Sequence, residues 1–351
     1  MKKLPNRFKL LSASAALSAI GMLALGSTAA SASGTYYTCD TPTSCKKVDK
    51  RILTTSYNAT KYPIVMAHGF LGWNRMLGIV DYFNGIPQTL ISNGADVFTT
   101  KTTTVNSSEV RGEELLKQVR MIKAITGSKK VNLVGHSQGG LDSRYVAGVD
   151  PQAIASITTV ASPHTGAGLA DILSESTREN GTGDFNLNGK ILSTVVEIIG
   201  GGISTAAGTP LTQAEKQNAM NALDSISEKA FIQFNKDYPA PIPSSYCGQP
   251  PANNVMNGVA YYSFSGVGQI TNVLDPSDYL LQLTGSLYDK DDLNDGVVTK
   301  CSSRVGKVIR DDYKMNHLDS INQFLGLVSW AETNPLPVYR QQINRLKNDG
   351  Y

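Results

Sequence analysis

No acidic residue occurs before Asp40. Lys2, Lys3, Arg7 and Lys9 therefore stand uncompensated, and they supply the excess behind a net charge of +3 from 32 basic and 29 acidic residues. The rest of the chain is close to neutral, which excludes the broad basic face of a nucleic-acid binder. Downstream of Leu25 no stretch approaches ~20 unbroken apolar residues, so no later membrane-spanning helix is expected. Internal repeats and coiled-coil heptads are also missing, which excludes solenoids and long zippers. Only four cysteines and four histidines occur in 351 residues. The cysteines do not fall into two CxxC pairs, so a zinc site is not expected. What remains is a chain 41% hydrophobic with 32 glycines, a composition that supports a sizeable core.

The N-terminus reads as an address. A basic stretch over residues 2–9 precedes an apolar run from Leu10 to Leu25, softened by Ser and Ala. Ala30-Ser31-Ala32 then supplies a small-x-small cleavage pattern. That order describes a secretory signal peptide over residues 1–32 and an exported, soluble chain beginning near Ser33. Residues 33–351 are expected to form a single domain. Export places Cys39, Cys45, Cys247 and Cys301 in an oxidising compartment, where disulfides persist. Four cysteines allow three connectivities. The simplest joins Cys39 to Cys45 and Cys247 to Cys301, the second closing a loop of about 50 residues worth of order 4 kcal/mol in the chain-entropy picture.

The body alternates strand and helix signals. Ile64-Val65-Met66-Ala67 is a short apolar run ending at His68-Gly69, as expected of a buried strand. Asn106 and Glu109 resemble a capping box, after which Leu115, Val119, Ile122 and Ile125 share a helical face that ends at Gly127. Val131–Val134 reads as a strand, Leu141–Val149 as a helix, and Ile157–Val160 as a strand stopped by Pro163. Tyr261–Ser265 and Val305–Ile309 look like later strands. This rhythm predicts an α/β class with a mostly parallel sheet covered by helices on both faces. Residues 165–227 break it. They are rich in Gly, Ser, Thr and Asn and carry an apolar helical stripe from Ile191 to Ile199 that ends at Gly200-Gly201-Gly202. The stripe fits either a core helix or a mobile helical lid inserted in the fold, and insertions of this length are often functional.

Gly135-His136-Ser137-Gln138-Gly139 follows one strand directly and precedes one helix directly. GxSxG in that setting holds a serine hydroxyl above the sheet edge, beside the unpaired N–H groups of the next helix. A serine needs a base. His136 adjoins the serine and points elsewhere, His68 suits an oxyanion loop, and His164 follows the next strand too closely. His317 lies far downstream, where the order serine, acid, histidine puts the base. The acid must fall between Ser137 and His317. Asp295, at an Asn-Asp-Gly turn beside an apolar run, leads; Asp275, Asp278, Asp289, Asp291 and Asp292 compete. The backbone N–H groups of Phe70 and Gln138 are expected to form the oxyanion hole.

The motifs Tyr62–Gly72, Val131–Gly140, Leu274-Asp275-Pro276-Ser277-Asp278, Asn294-Asp295-Gly296 and Met315-Asn316-His317-Leu318-Asp319, in that order and spacing, resemble the secreted true lipases of Gram-negative bacteria. These are the Pseudomonas and Burkholderia type triacylglycerol lipases, and the resemblance runs from about Tyr62 to Lys347. It implies an α/β-hydrolase fold, with Ser137, Asp295 and His317 as triad and Phe70 and Gln138 as oxyanion donors. It also implies the pairing of Cys247 with Cys301. One structural Ca²⁺ is implied as well, held by the carboxylates of Asp275 and Asp319 and the backbone carbonyls of Gln323 and Leu327. Oxygen-only ligation of that kind suits a hard cation.

The expected activity is hydrolysis of long-chain acylglycerols at a lipid–water interface through an acyl-enzyme. A soluble-ester carboxylesterase or an acyltransferase is the nearer alternative, and a non-enzymatic hydrolase-like binding protein the more distant one. The resemblance further implies a membrane-anchored, lipase-specific foldase chaperone and a secretion machinery as partners, with passage through the periplasm to the extracellular medium.

Overall fold

The computed structural model describes residues 33–351 except 53–54, 71, 73–74, 77–79, 172–224, 324 and 332–333. The apolar stripe from Ile191 to Ile199 and most of the expected lid fall outside the described residues, as does the expected signal peptide over residues 1–32.

A hairpin opens the described chain. Strands β1 (Ser33–Thr41) and β2 (Ser44–Ile52) pair antiparallel, with Cys39 opposite Cys45. Next come β3 (Ile64–Ala67), a two-residue pair β4 (Arg75–Met76) and β5 (Val80–Asp81), helix α1 (Ile86–Ile91) and β6 (Asp96–Thr100). Helix α2 (Ser108–Thr126), β7 (Val131–His136), α3 (Gln138–Val149) and β8 (Ile154–Val160) follow. After the undescribed segment come α4 (Glu228–Asp237), β9 (Val255–Met256), β10 (Val259–Gly266), α5 (Pro276–Gly285), β11 (Lys307–Tyr313) and α6 (Pro335–Asn348).

The large sheet runs β11-β10-β8-β7-β3-β6-β1-β2, with β9 joined to β10. From β11 to β1 every neighbour is parallel; only the edge partners β2 and β9 are antiparallel. Alternation along each strand splits the core between two faces. Ile64 and Met66 pack with α1 and α6 on one side, whereas Val65 and Ala67 pack with α2 and α3 on the other. The expected α/β class with helices on both faces is therefore observed. No helix among the described residues is long and apolar enough to cross a membrane.

Several local expectations shift. The N-cap of α2 is Ser107, whose hydroxyl accepts from the Val110 N–H, while Asn106 accepts from the Ser107 N–H instead. Ile125 is exposed, so the buried stripe of α2 stops at Ile122. Helix α3 begins at Gln138, directly after the serine, and the last strand lies at Lys307–Tyr313. The β1–β2 hairpin carries no clean alternation in sequence, and its pairing comes from β6 and the Cys39–Cys45 bridge. Cys247 and Cys301 form the second disulfide, so the simplest connectivity is the one adopted.

Candidate active site

In a parallel sheet the carboxyl ends of all strands open on one edge, and the chain's loops meet there. β3 ends at Ala67 and leads into His68-Gly69-Phe70; β7 ends at His136 and leads into Ser137; β11 ends at Tyr313 and leads into His317. Ser137 has φ 53° and ψ −127°, a conformation an L-residue adopts only when its surroundings enforce it. Two glycines make it possible. A Cβ on Gly135 would strike the Gly139 carbonyl, and one on Gly139 would strike the Ala67 carbonyl. The Ser137 N–H donates to the Val160 carbonyl at 2.9 Å, which ties the turn to β8.

Asp295 and His317 meet although they come from different connections. His317 Nδ1 donates to Asp295 Oδ2 at 2.8 Å, and the His317 backbone N–H donates to the Asp295 carbonyl at 2.9 Å. Asp295 Oδ1 accepts from the N–H groups of Val297 at 3.0 Å and Val298 at 2.8 Å. The carboxylate is thus buried and fixed at both oxygens. The His317 ring lies 4.6 Å, centroid to centroid, from His136, the residue before Ser137. The competing acids have other work. Asp278 accepts from the N–H groups of Thr271 and Asn272, Asp275 caps α5, Asp292 accepts from the Tyr246 hydroxyl, and Asp289 and Asp291 are exposed.

His136, His68 and His164 are all buried and held as neutral bases. His136 Nε2 donates to the His317 carbonyl at 3.1 Å, so its Nδ1 accepts from the Tyr82 hydroxyl at 2.7 Å. The same hydroxyl accepts from the Gly69 N–H at 3.1 Å. Burial, then the His317 ring, holds the His136 imidazole well below its ordinary value. His68 Nε2 accepts from the Thr102 N–H at 3.2 Å and Nδ1 donates to the Gly69 carbonyl at 2.9 Å. Burial, reinforced by Arg111, pushes it down to about 3. His164 Nε2 donates to the Thr159 hydroxyl at 3.0 Å, a structural placement.

Two features escaped the sequence reading. The first is the Tyr82 hydroxyl just described. The second is a fully buried ion pair, Arg111–Asp142 at 2.9 Å. Arg111 Nη2 also donates to the carbonyls of His68 at 2.7 Å and Gly69 at 3.2 Å, clamping the loop that carries Phe70. A signal existed. Arg111 sits one turn before Leu115 on the buried face of α2, where a charge must find a partner. Phe70 is half-buried beside that clamp. Gln138 is the first residue of α3, so its N–H is among those a helix leaves without an internal acceptor. Its side chain is turned away, with Nε2 donating to the Asn106 carbonyl at 2.8 Å.

Asp275 and Asp319 are buried on the connections that follow β10 and β11. Asp319 Oδ2 accepts from the Asn316 N–H at 3.1 Å, while buried Oδ1 finds no hydrogen-bond partner among the described residues. Burial pushes the Asp319 carboxyl up to about 7, with the charges of Asp278 and Asp275 adding to the shift. An orphaned oxygen in a buried anionic group fits a hard cation. The Gln323 side chain is committed elsewhere, donating to the carbonyls of Asp81 and Tyr82, which leaves its main chain to serve such an ion. Another trio, Cys247, Asp292 and Cys301, lies close together, but its two cysteines are bridged and offer no thiolate.

Residues 62–175 match the α/β-hydrolase fold family. A triacylglycerol lipase of Vibrio cholerae is 42% identical over 296 residues, which cover 84% of this chain and 90% of that protein. One of Pseudomonas fragi is 37% identical across 83% of this chain and 98% of its own length. One of Burkholderia plantarii is 35% identical across 84% and 88%. Among solved structures, a Bacillus licheniformis lipase in its mature form superimposes with a TM-score of 0.53 at 19% identity, covering 81% of this chain and 92% of that one. Such a likeness speaks for the fold, and the sequence relatives speak for the family. The chain belongs to the bacterial triacylglycerol lipases, built on the α/β-hydrolase fold.

Proposed function

We propose that this chain hydrolyses long-chain triacylglycerols at the lipid–water interface, with Ser137 as nucleophile, His317 as general base and Asp295 as its orienting acid. The observation that carries the reading is the 2.8 Å Asp295–His317 pair set against the residue that precedes the strained Ser137. Ser137 Oγ attacks the ester carbonyl carbon as His317 Nε2 takes its proton. The tetrahedral oxyanion accepts from the N–H groups of Phe70 and Gln138, where losing one donor costs about 3–4 kcal/mol. Collapse breaks the C–O bond, and His317 returns the proton to the departing glycerol oxygen. Water, activated by the same imidazole, then releases the fatty acid and restores Ser137.

Asp275 and Asp319 would hold one Ca²⁺ through their carboxylates, with the main-chain carbonyls of Gln323 and Leu327 completing the set. When bound, the ion supplies no chemistry to the ester and acts as a structural pin. Asp319 lies two residues from His317, so the pin would stiffen the loop that presents the base. Two disulfides support a site of folding outside the cytosol. Export through the periplasm to the medium, with help from a membrane-anchored foldase, rests on the sequence resemblance.

The test is turnover of an emulsified long-chain triacylglycerol by the mature chain and by Ser137→Ala. Wild-type rate should jump as a sparingly soluble ester passes its solubility limit, and Ser137→Ala should lose all phosphonate labelling and turnover. A smooth saturation curve through that limit would favour a soluble-ester carboxylesterase. Labelling elsewhere than Ser137 would overturn the nucleophile.

A further inference from the structure

The chain between 171 and 225 joins the rest of the fold through a neck of two short segments. The Ala167 N–H donates to the Ile226 carbonyl at 2.9 Å, and the Glu228 N–H donates to Asp171 Oδ2 at 2.9 Å, so the outgoing and returning sides are laced together. Ser302 fixes the outgoing side. Its hydroxyl accepts from the Thr165 N–H at 3.2 Å and donates to the Gly166 carbonyl at 2.6 Å. Residues 168–171 then begin a helix, whose first N–H groups have no acceptor within it. The Leu169 N–H finds one outside, the Tyr288 hydroxyl at 3.1 Å.

Tyr288 lies between the end of α5 and the turn of Asp295. Its hydroxyl donates in turn to the Val297 carbonyl. That carbonyl belongs to the same planar peptide group as the Val298 N–H, which donates to Asp295 Oδ1 at 2.8 Å. Asp295 Oδ2 is the atom that accepts from His317 Nδ1. One unbroken string thus runs from the neck to the catalytic imidazole, and from Leu169 onward every donor in it points toward the carboxylate. Hydrogen bonds aligned in this way polarise one another. Burial raises the pKa of the phenol, which keeps the hydroxyl a donor. Packing follows the same line. Leu169, Phe231, Tyr288 and Val297 share one apolar cluster, and Gly168 lies against the Tyr288 ring, where a Cβ would have only 3.2 Å.

We infer that Tyr288 is a positioning residue that hitches the acid of the triad to the neck: it sets the Val297–Val298 peptide against Asp295 and makes that setting depend on where Leu169 stands. The inference rests on the lipase reading above and deepens it by naming how the site is regulated. Tyr288 touches no reacting atom and works only through the carboxylate. Phenylalanine would fill the apolar cluster equally well. What it lacks is the hydroxyl, whose two partners are main-chain groups 119 and 9 positions away. A neck that shifts draws this hydroxyl with it and loosens the peptide that grips Asp295 Oδ1, so turnover follows the neck.

The test is steady-state turnover of a short, water-soluble ester by the mature wild type, Tyr288→Phe, Asp295→Asn and the two combined. Tyr288→Phe should lower kcat about tenfold with KM within about twofold, since the ring stays and its hydrogen bonds go. Asp295→Asn should lower kcat at least about a hundredfold. In that background Tyr288→Phe should cost less than about twofold, because the carboxylate through which it acts is gone. Equal costs in both backgrounds would mean that the hydroxyl serves the fold at large and would overturn the inference, as would a wild-type kcat for Tyr288→Phe alone. The tie to the neck is read with Leu169→Pro, which deletes the N–H in a first turn that tolerates proline, and with Asp171→Ala, which frees the Glu228 N–H. Each should lower kcat in the wild type and leave it unchanged in Tyr288→Phe. No loss in the wild type, or the same loss in both, would overturn the tie, and Asp171→Ala decides the point alone if the proline chain does not fold. If Asp295→Asn keeps wild-type turnover, or the wild type turns over no ester, it is the lipase reading that fails.

Discussion

The Tyr82 hydroxyl donates to His136 Nδ1 at 2.7 Å, and through that bond the oxyanion loop and the histidine loop are tied to one another. Upstream, the hydroxyl accepts from Gly69, the residue before Phe70; downstream, His136 donates to the carbonyl of His317. Three separate connections of the chain thus share one buried string of hydrogen bonds. Replacing Tyr82 with Phe removes its centre and leaves the Gly69 N–H and His136 Nδ1 unpaired. A loss of about 1–3 kcal/mol is expected, seen as a roughly tenfold fall in kcat on a soluble ester with KM little changed. Steady-state kinetics of Tyr82→Phe check this, and an unaltered kcat would show the string to be incidental.

Stability should decline in acid because three buried histidines are held neutral. His68 is pushed from its ordinary 6.5 to about 3, first by burial and then by Arg111; His136 and His164 are lowered by burial as well. For a lowered histidine the folded state binds the proton less readily than the unfolded chain. Its contribution is therefore complete above about pH 6.5 and is lost as pH falls toward the folded value, by up to about 1.4 kcal/mol per pH unit for each group. Urea unfolding at pH 7 and pH 5 measures the slope. His164→Asn, which keeps a donor for Thr159, should flatten it by about one group's share, and parallel slopes would refute the assignment.

Chelation tests the calcium site separately from the chemistry. If Asp275 and Asp319 hold Ca²⁺, a hundredfold excess over Kd stabilises the fold by about 2.7 kcal/mol. Wild type should melt several degrees lower in chelator, and Asp319→Asn should melt at the same temperature with or without it. A wild-type melting curve indifferent to both calcium and chelator would remove the ion from the account.

The two disulfides should differ in value. Cys247–Cys301 closes 54 residues and Cys39–Cys45 only 6. Chain entropy alone assigns them about 4 and about 2 kcal/mol. Denaturant midpoints of Cys247→Ala/Cys301→Ala and Cys39→Ala/Cys45→Ala compare them, and equal losses would mean that the hairpin bridge acts through the sheet edge instead.

The sequence was readable wherever one local pattern carried one meaning. GxSxG between a strand and a helix singled out Ser137 and chain order pointed to His317, whereas Asp295 only led a group of acids until the family resemblance chose it, because nothing local marks which carboxylate will meet the imidazole. The strand β3 was legible as a continuous apolar run, and β7 and β8 as short segments rich in Val, Leu and Ile, since both of their faces are covered. The hairpin β1–β2 was not, because half of its partners lie about 60 residues away on β6 and its outer strand is charged. Tyr82 was likewise invisible, and Arg111 announced only that it needed a partner, not that the partner was Asp142. Their significance depends on contacts from 13 to 54 positions apart, and no spacing announces such a pair.

The glycine-locked turn at Ser137 has a consequence for how this protein can change. Gly135 and Gly139 touch main-chain carbonyls that cannot retreat, so the ground immediately beneath the nucleophile admits no new side chains. Any drift toward other esters must be written into the walls that the remaining loops raise around it. Libraries that spare residues 135–139 and diversify those walls should keep a working hydroxyl while its diet is revised.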